Sequence, residues 1–282
     1  MRKEDINIRD PFVLSENGTY YLYGTRAANF GQKVAGFDVY TTTDLVEFSG
    51  PHECFNSEAN GFNREVNWAP EVHKINGSYY MFATFTQENG LRGTYILKAD
   101  SPLGPFRPHS DGAVTPRDWM SLDGTFLEQN GKYYIIFCHE HVQIIDGTIC
   151  YQQLSDDLTH CVGEPTTLFS ATSPYYADEN PTCKTFVTDG PFMYTTKDGV
   201  LLMIWSTFLK GQYAECLVRF KDGKLCTEFE HLAPLIDNDG GHGMLFRFGE
   251  KLMLTFHSPN QTGSERPFFI EVEDTGDSIK LV

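Results

Sequence analysis

Three aspartates and one histidine recur at matching places in a repeated phrase, and their types make an acid–base set. Asp10 stands eight residues before Gly18, Asp123 eight before Gly131, Asp189 ten before Gly199 and His242 seven before Gly249. Each precedes a small residue or proline and then an apolar run, as in Asp10-Pro11-Phe12 and Asp189-Gly190-Pro191-Phe192. In a fifth copy Ala69 holds the place, inside Trp68-Ala69-Pro70-Glu71. Carboxyl and imidazole groups are the usual carriers of general acid and base catalysis. To act together they must be brought to one point by elements far apart in the chain.

The turn glycines say what those elements are. Asn17-Gly18-Thr19-Tyr20, Asn76-Gly77-Ser78-Tyr79, Asn130-Gly131-Lys132-Tyr133, Asp198-Gly199-Val200-Leu201 and Phe248-Gly249-Glu250-Lys251 each separate two β-rich runs. Asn-Gly and Asp-Gly are the commonest hairpin turns because they tolerate positive φ. The glycines follow one another at intervals of 59, 54, 68 and 50 residues. Those intervals match propeller blades of about 40 to 50 residues carrying loop insertions. The reading is an all-β chain, one domain over residues 1–282: a five-bladed β-propeller of four-stranded antiparallel blades around a central axis. In such a ring the first strand of every blade lines the channel, so the heads of the phrase converge.

On this spacing the blades run over residues 6–50, 51–105, 106–170, 186–235 and 240–272, and either the final strand or the N-terminal segment completes the circle. An insert over residues 173–185 accounts for the longest interval, and long loops at one end of a scaffold often shape a pocket. The loop carrying Asn29, Phe30 and Gly31 is placed to reach the rim of the same pocket.

Arg9-Asp10-Pro11-Phe12, Trp68-Ala69-Pro70-Glu71, Leu122-Asp123-Gly124-Thr125-Phe126, Thr188-Asp189-Gly190-Pro191-Phe192 and Gly240-Gly241-His242-Gly243-Met244 carry a resemblance to family 43 of the glycoside hydrolases. Those are five-bladed propellers that invert the anomeric carbon of arabinosides and xylosides. The resemblance implies an inverting hydrolase of α-L-arabinofuranosyl or β-D-xylosyl linkages in plant-type oligosaccharides. It makes Asp10 the general base, Asp123 the residue that orients the acid and raises its pKa, and Asp189 the general acid. Inversion needs the base and the acid about 6.5 to 9.5 Å apart so that a water fits, which carboxylates on different blades can satisfy.

At the fourth motif the chain departs from the family, which usually has Glu-Gly-Pro there. Aspartate is one methylene shorter, and Glu71 and Glu215 stand as substitute acids. The departure also keeps open a non-catalytic sugar-binding propeller, and the fold is compatible with another furanoside such as galactofuranose. By the same resemblance His242 faces the channel and holds a calcium or other ion, directly or through water; otherwise it is a buried hydrogen-bonded histidine. Trp68 is a sugar-stacking wall or a core tryptophan, Arg266 a pocket arginine or half of a rim pair with Glu265, and Glu71 and Phe30 further sugar contacts. No cofactor is required for the chemistry itself.

Composition narrows the partners. A net charge of −16 argues against nucleic acid, which needs clustered Lys and Arg. No apolar run approaches the roughly 20 residues of a membrane span. Seven scattered cysteines without a Cys-x-x-Cys pair favour neither zinc nor a disulfide framework and read as free thiols. With no apolar leader after Met1, the expected location is cytoplasmic.

Overall fold

The computed structural model describes residues 1–26, 36–62 and 64–282, and it is a propeller of five sheets. Blade one comprises β1 (Ile8–Glu16), β2 (Thr19–Arg26), β3 (Phe37–Thr42) and β4 (Ser49–Phe55). Blade two comprises β5 (Asn67–Ile75), β6 (Ser78–Thr86), β7 (Arg92–Ala99) and the short β8 (Arg107–Pro108). Blade three comprises β9 (Ser121–Gln129), β10 (Lys132–His139), β11 (Thr148–Leu154) and β12 (Cys161–Ser170), with a helical turn α1 (His141–Ile144) between β10 and β11. Blade four comprises β13 (Asp189–Thr195), β14 (Leu201–Leu209), β15 (Gln212–Phe220) and β16 (Phe229–His231). Blade five comprises β17 (Gly241–Phe248), β18 (Lys251–Ser258), β19 (Arg266–Asp274) and β20 (Ile279–Leu281). Every sheet is antiparallel and takes its strands in chain order.

The expected turns form. Asn17-Gly18, Asn76-Gly77 and Asn130-Gly131 all have positive φ at both positions, the requirement of a two-residue type I′ hairpin. The blade limits shift, because Gly50-Pro51 reads as a boundary in sequence but lies inside β4. Proline lacks the ladder donor and is confined to sheet edges, and β4 is an outer edge strand. Blade one therefore runs to Phe55, and blade two begins only at Asn67. Blade five closes itself with β20, while the N-terminus binds blade one, its ammonium donating to Phe48 O at 2.9 Å.

Among the described residues no strand is shared across the closure between blades five and one. The two are joined by side chains: Asn7 donates to Glu265 O at 2.8 Å, Ser15 to Arg247 O at 3.2 Å, and Gly249 N–H to Tyr20 Oη at 3.1 Å. Beneath those bonds Phe12, Tyr20, Met244 and Phe246 belong to one apolar cluster. A second cluster, around Trp205, Ile136 and Met203, joins blades three and four. Aliphatic and aromatic side chains buried between sheets in this way are the main source of stability.

Each innermost strand is interrupted at its pocket end by a bulge, seen as a register shift in all five pairings with the second strand. The bulged residue is left-handed in every blade: Asp10 (φ 55°), Ala69 (φ 46°), Asp123 (φ 56°), Gly190 (φ 48°) and His242 (φ 53°). A bulge re-aims a side chain and leaves a backbone group unpaired. The freed N–H is taken up by the second strand of the preceding blade. Asp10 N–H donates to His257 Nδ1 (3.2 Å), Ala69 N–H to Thr25 Oγ1 (2.7 Å), Asp123 N–H to Thr84 Oγ1 (3.0 Å) and His242 N–H to Ser206 Oγ (2.7 Å). In blade three the corresponding second-strand residue is Cys138, and Gly190 N–H donates instead to Asp123 Oδ2 at 3.2 Å.

Candidate active site

The five bulges surround a pocket of about 220 Å3. Asp10, Asp123 and His242 reach it from bulged positions. Asp189 reaches it from one residue earlier, so the equivalent of Asp10 in blade four is Gly190, not Asp189. The sequence alignment is off by one there because the fourth hairpin is longer than the others, pairing Thr195 with Leu201 across its turn. Arg9, Trp68 and Leu122 hold the place before the bulge in blades one to three, and all three line the pocket too. Gly190 is required where it stands, since a Cβ there would lie 2.6 Å from the His242 ring.

Asp10 is almost fully buried and held from several sides. Thr25 donates to its Oδ2 at 2.7 Å, Arg9 Nε lies 3.4 Å from Oδ1, and His242 Nδ1 lies 3.2 Å from the same oxygen. Burial opposes its ionisation, but the charges of His242 and Arg9 prevail and hold its pKa at about 2. Behind it, burial and the neighbouring Arg9 push His257 down to about 3, so its ring is neutral. Nδ1 is then the acceptor of the Asp10 N–H, and Nε2–H faces Asn260 Oδ1 at 3.4 Å.

Asp123 is equally buried, and its balance falls the other way. Burial dominates, His242 opposes it from 3.8 Å, and the Asp189 and Asp10 charges add to it, raising the carboxyl to about 8. Asp189 is the most open of the three carboxyls. Its Oδ2 accepts the Tyr213 hydroxyl at 3.0 Å. Tyr213 is buried, and that burial beside Asp189 keeps its phenol protonated.

His242 is raised above the ordinary imidazole value: burial resists its charge, but Asp10, Asp123 and Asp189 stabilise it. It lies between two carboxyls, 3.2 Å from Asp10 Oδ1 and 3.8 Å from Asp123 Oδ2, whose charges favour its protonated form. A calcium ion does not fit this donor set, since calcium collects six to eight oxygens and here the imidazole nitrogen of His242 stands between the Asp10 and Asp123 carboxyls. Among the described residues no group of three or more His, Cys, Asp or Glu side chains is disposed to hold a metal ion.

The other expected residues divide. Trp68 lines the pocket, with the Arg92 guanidinium 4.7 Å from its ring centroid on one face. Arg266 does not enter: it donates to the backbone oxygens of Glu4 (2.7 Å) and Glu265 (2.8 Å) at the outer surface. Strand alternation turns Glu265 inward and its neighbour outward. The arginine that pairs with the Glu265 carboxylate is Arg9, at 3.2 Å. Glu71 is bound to His73 Nε2 at 3.1 Å and does not line the pocket. Glu215 is fully buried beneath His242, its Oε2 accepting Gly243 N–H at 2.8 Å, and burial raises it to about 8. Phe30 lies outside the described residues. The 173–185 insert reaches the site through Thr185, 2.7 Å from Nδ1 of the pocket residue His141.

Sequence reasoning missed Arg9, Arg92, Glu140 and His141, all of which line the pocket. Arg9 had a signal, since it stands beside Asp10 as Trp68 stands beside Ala69. Arg92 opens β7, the third strand of its blade, and Glu140 and His141 start the turn α1, so none carries the repeat phase.

The family model described as glycosyl hydrolases family 43 matches residues 5–267. A comparison with curated proteins finds no match. Among solved structures the chain is similar to an endo-arabinase from Bacteroides thetaiotaomicron VPI-5482, with 34% identity, a TM-score of 0.88, and coverage of 97% of this chain and 96% of that one. A thermostable family-43 glycoside hydrolase shares the fold at 23% identity and a TM-score of 0.84, covering 98% of this chain and 92% of that one. So does an endo-1,4-beta-xylanase from Bacteroides thetaiotaomicron VPI-5482, at 20% identity and a TM-score of 0.79, covering 98% and 94%. With a propeller of five bulged blades, acidic side chains from three of them in one pocket, and a family match over nearly its whole length, the chain belongs to family 43 of the glycosyl hydrolases.

Proposed function

We propose that this glycoside hydrolase cleaves α-L-arabinofuranosyl or β-D-xylosyl linkages with inversion, and that Asp10, Asp123 and Asp189 carry the reaction. The supporting observation is their meeting in one pocket, where Asp10 is held down at about 2 and Asp123 is pushed up to about 8. Asp10, held ionised by His242 and Arg9, is the base that takes a proton from the attacking water. Burial of Asp123 beside two other carboxyls means that the trio retains a proton near neutral pH. Asp189, the most open of them, is the acid that protonates the leaving oxygen. The Tyr213 hydroxyl fixes its orientation.

An arabinan-derived substrate is favoured by the 34% identity to an endo-arabinase. The 220 Å3 pocket lies below the roughly 300 to 1,000 Å3 of drug-sized sites, a scale that suits a single sugar unit at its floor. Aryl α-L-arabinofuranoside, aryl β-D-xyloside and aryl galactofuranoside supplied in parallel test the sugar, and proton NMR of the first-formed product tests the stereochemistry. Arabinoside or xyloside turnover with an inverted product is expected. In Asp189→Ala an activated aryl leaving group, which needs little protonation, should retain far more rate than an oligosaccharide. Retention of configuration, or turnover of galactofuranoside alone, would overturn the assignment.

A further inference from the structure

Arg92, at the start of β7, enters the pocket with most of its hydrogen-bonding capacity unspent. Nη1 binds Glu140 Oε1, and the guanidinium plane rests over Trp68. Its Nε–H and Nη2 donors meet no protein acceptor among the described residues, while 23% of the side chain remains exposed. Glu140 is the complementary half: its side chain is 5% exposed and its Oε2 has no hydrogen-bond partner among the described residues. A guanidinium gripped on one edge and stacked on one face is pre-organised, so little freedom is lost when its other donors find acceptors.

We propose that Arg92, stacked on Trp68 and anchored by Glu140, binds hydroxyl oxygens of the sugar on the leaving-group side of the scissile bond and so sets specificity for that sugar. The side follows from packing. Glu140 and His141 open a loop bound to the segment that leads into Asp189, with Thr185 Oγ1 2.7 Å from His141 Nδ1 and Gly147 N–H donating to Phe186 O at 2.8 Å, whereas Asp10 is enclosed by Arg9, His242 and Thr25. The inference rests on the reading of Asp189 as the acid, since the acid stands beside the leaving oxygen. Planar bidentate donors suit vicinal hydroxyls, and a site built to bond hydroxyls discriminates strongly against ligands lacking them.

The test compares a substrate that has a leaving sugar with one that has none. Arg92→Lys keeps the charge but removes the fork, and the double variant Arg92→Met/Glu140→Gln removes both charges without stranding a buried carboxylate. Melting curves establish that each is folded. On arabinotriose kcat/KM should fall about tenfold or more, mainly through KM, while on aryl arabinofuranoside it stays within about twofold. An equal fall on both substrates, or no fall on either, overturns the proposal. Wild-type protein that turns over neither substrate would refute the hydrolytic reading instead. Calorimetric titration of arabinotriose into Asp10→Asn and into Asp10→Asn/Arg92→Lys, neither of which consumes the ligand during the titration, then decides the arginine's part, with tenfold weaker binding supporting it and equal affinity ending it.

Discussion

Blades one and three present the same residue on the same bulge, Asp10 at φ 55° and Asp123 at φ 56°, yet one carboxyl is held near pKa 2 and the other near 8. Backbone geometry and burial are shared, so the difference lies in the neighbours: His242 is closer to Asp10 (3.2 Å) than to Asp123 (3.8 Å), the Asp189 and Asp10 charges raise Asp123, and two flanking positions differ. The residue before the bulge is Arg9 in blade one and Leu122 in blade three. The opposing second-strand residue is Thr25 in one and Cys138 in the other. Thr25 gives Asp10 a hydroxyl hydrogen bond, and Arg9 gives it a positive charge. A repeat thus supplies identical mounts, and substitutions around the mount decide whether an acid is ionised.

The largest break in this comparison is Asp10→Asn, which removes the ionised member. Turnover of the best aryl glycoside is expected to fall by about a thousandfold, within the range for loss of a general base. Wild-type rates in that variant would end the assignment of Asp10.

A smaller effect follows from making blade one resemble blade three. Arg9→Gln combined with Glu265→Gln removes the cation beside Asp10 without leaving Glu265 uncompensated. With less positive charge nearby, the Asp10 pKa rises from about 2 toward ordinary aspartate, so the base is lost at higher pH. The acid limb of kcat/KM should move up by about one pH unit, measurable between about pH 3 and 6. An unchanged limb would mean that His242 alone sets the charge of Asp10.

The reverse exchange is the finest probe. Cys138→Ser gives Asp123 the kind of hydroxyl that Asp10 receives from Thr25, at a position that blade four fills with Ser206. A donor to the carboxylate form lowers the Asp123 pKa from about 8, so the trio gives up its proton sooner. The alkaline limb should move down by less than about one unit, and an upward shift would contradict the comparison.

The repeat explains what could be read in advance. Asn-Gly turns and apolar runs are local signals, and they located five hairpins and the heads of four first strands. Glycine counting finds Asp189 but aligns it with Asp10, one residue short of Gly190, because it cannot register the longer fourth hairpin. Gly50-Pro51 reads as a boundary because proline inside an outer edge strand looks the same in sequence as proline between blades. Arg266 and Arg9 exchanged roles because strand alternation at Glu265 is invisible without the register. Arg92 and Glu140 meet across two blades, 48 positions apart, and no spacing rule links them.

The closure between blades five and one has a consequence for how the molecule fails. A ring without a shared strand has a seam, and here His257, Asn260 and Glu265 of the last blade are the stitches that fasten Arg9 and Asp10 of the first. Fraying along that seam would displace the proposed base while all five sheets were still whole, so heat should silence this enzyme before it melts it.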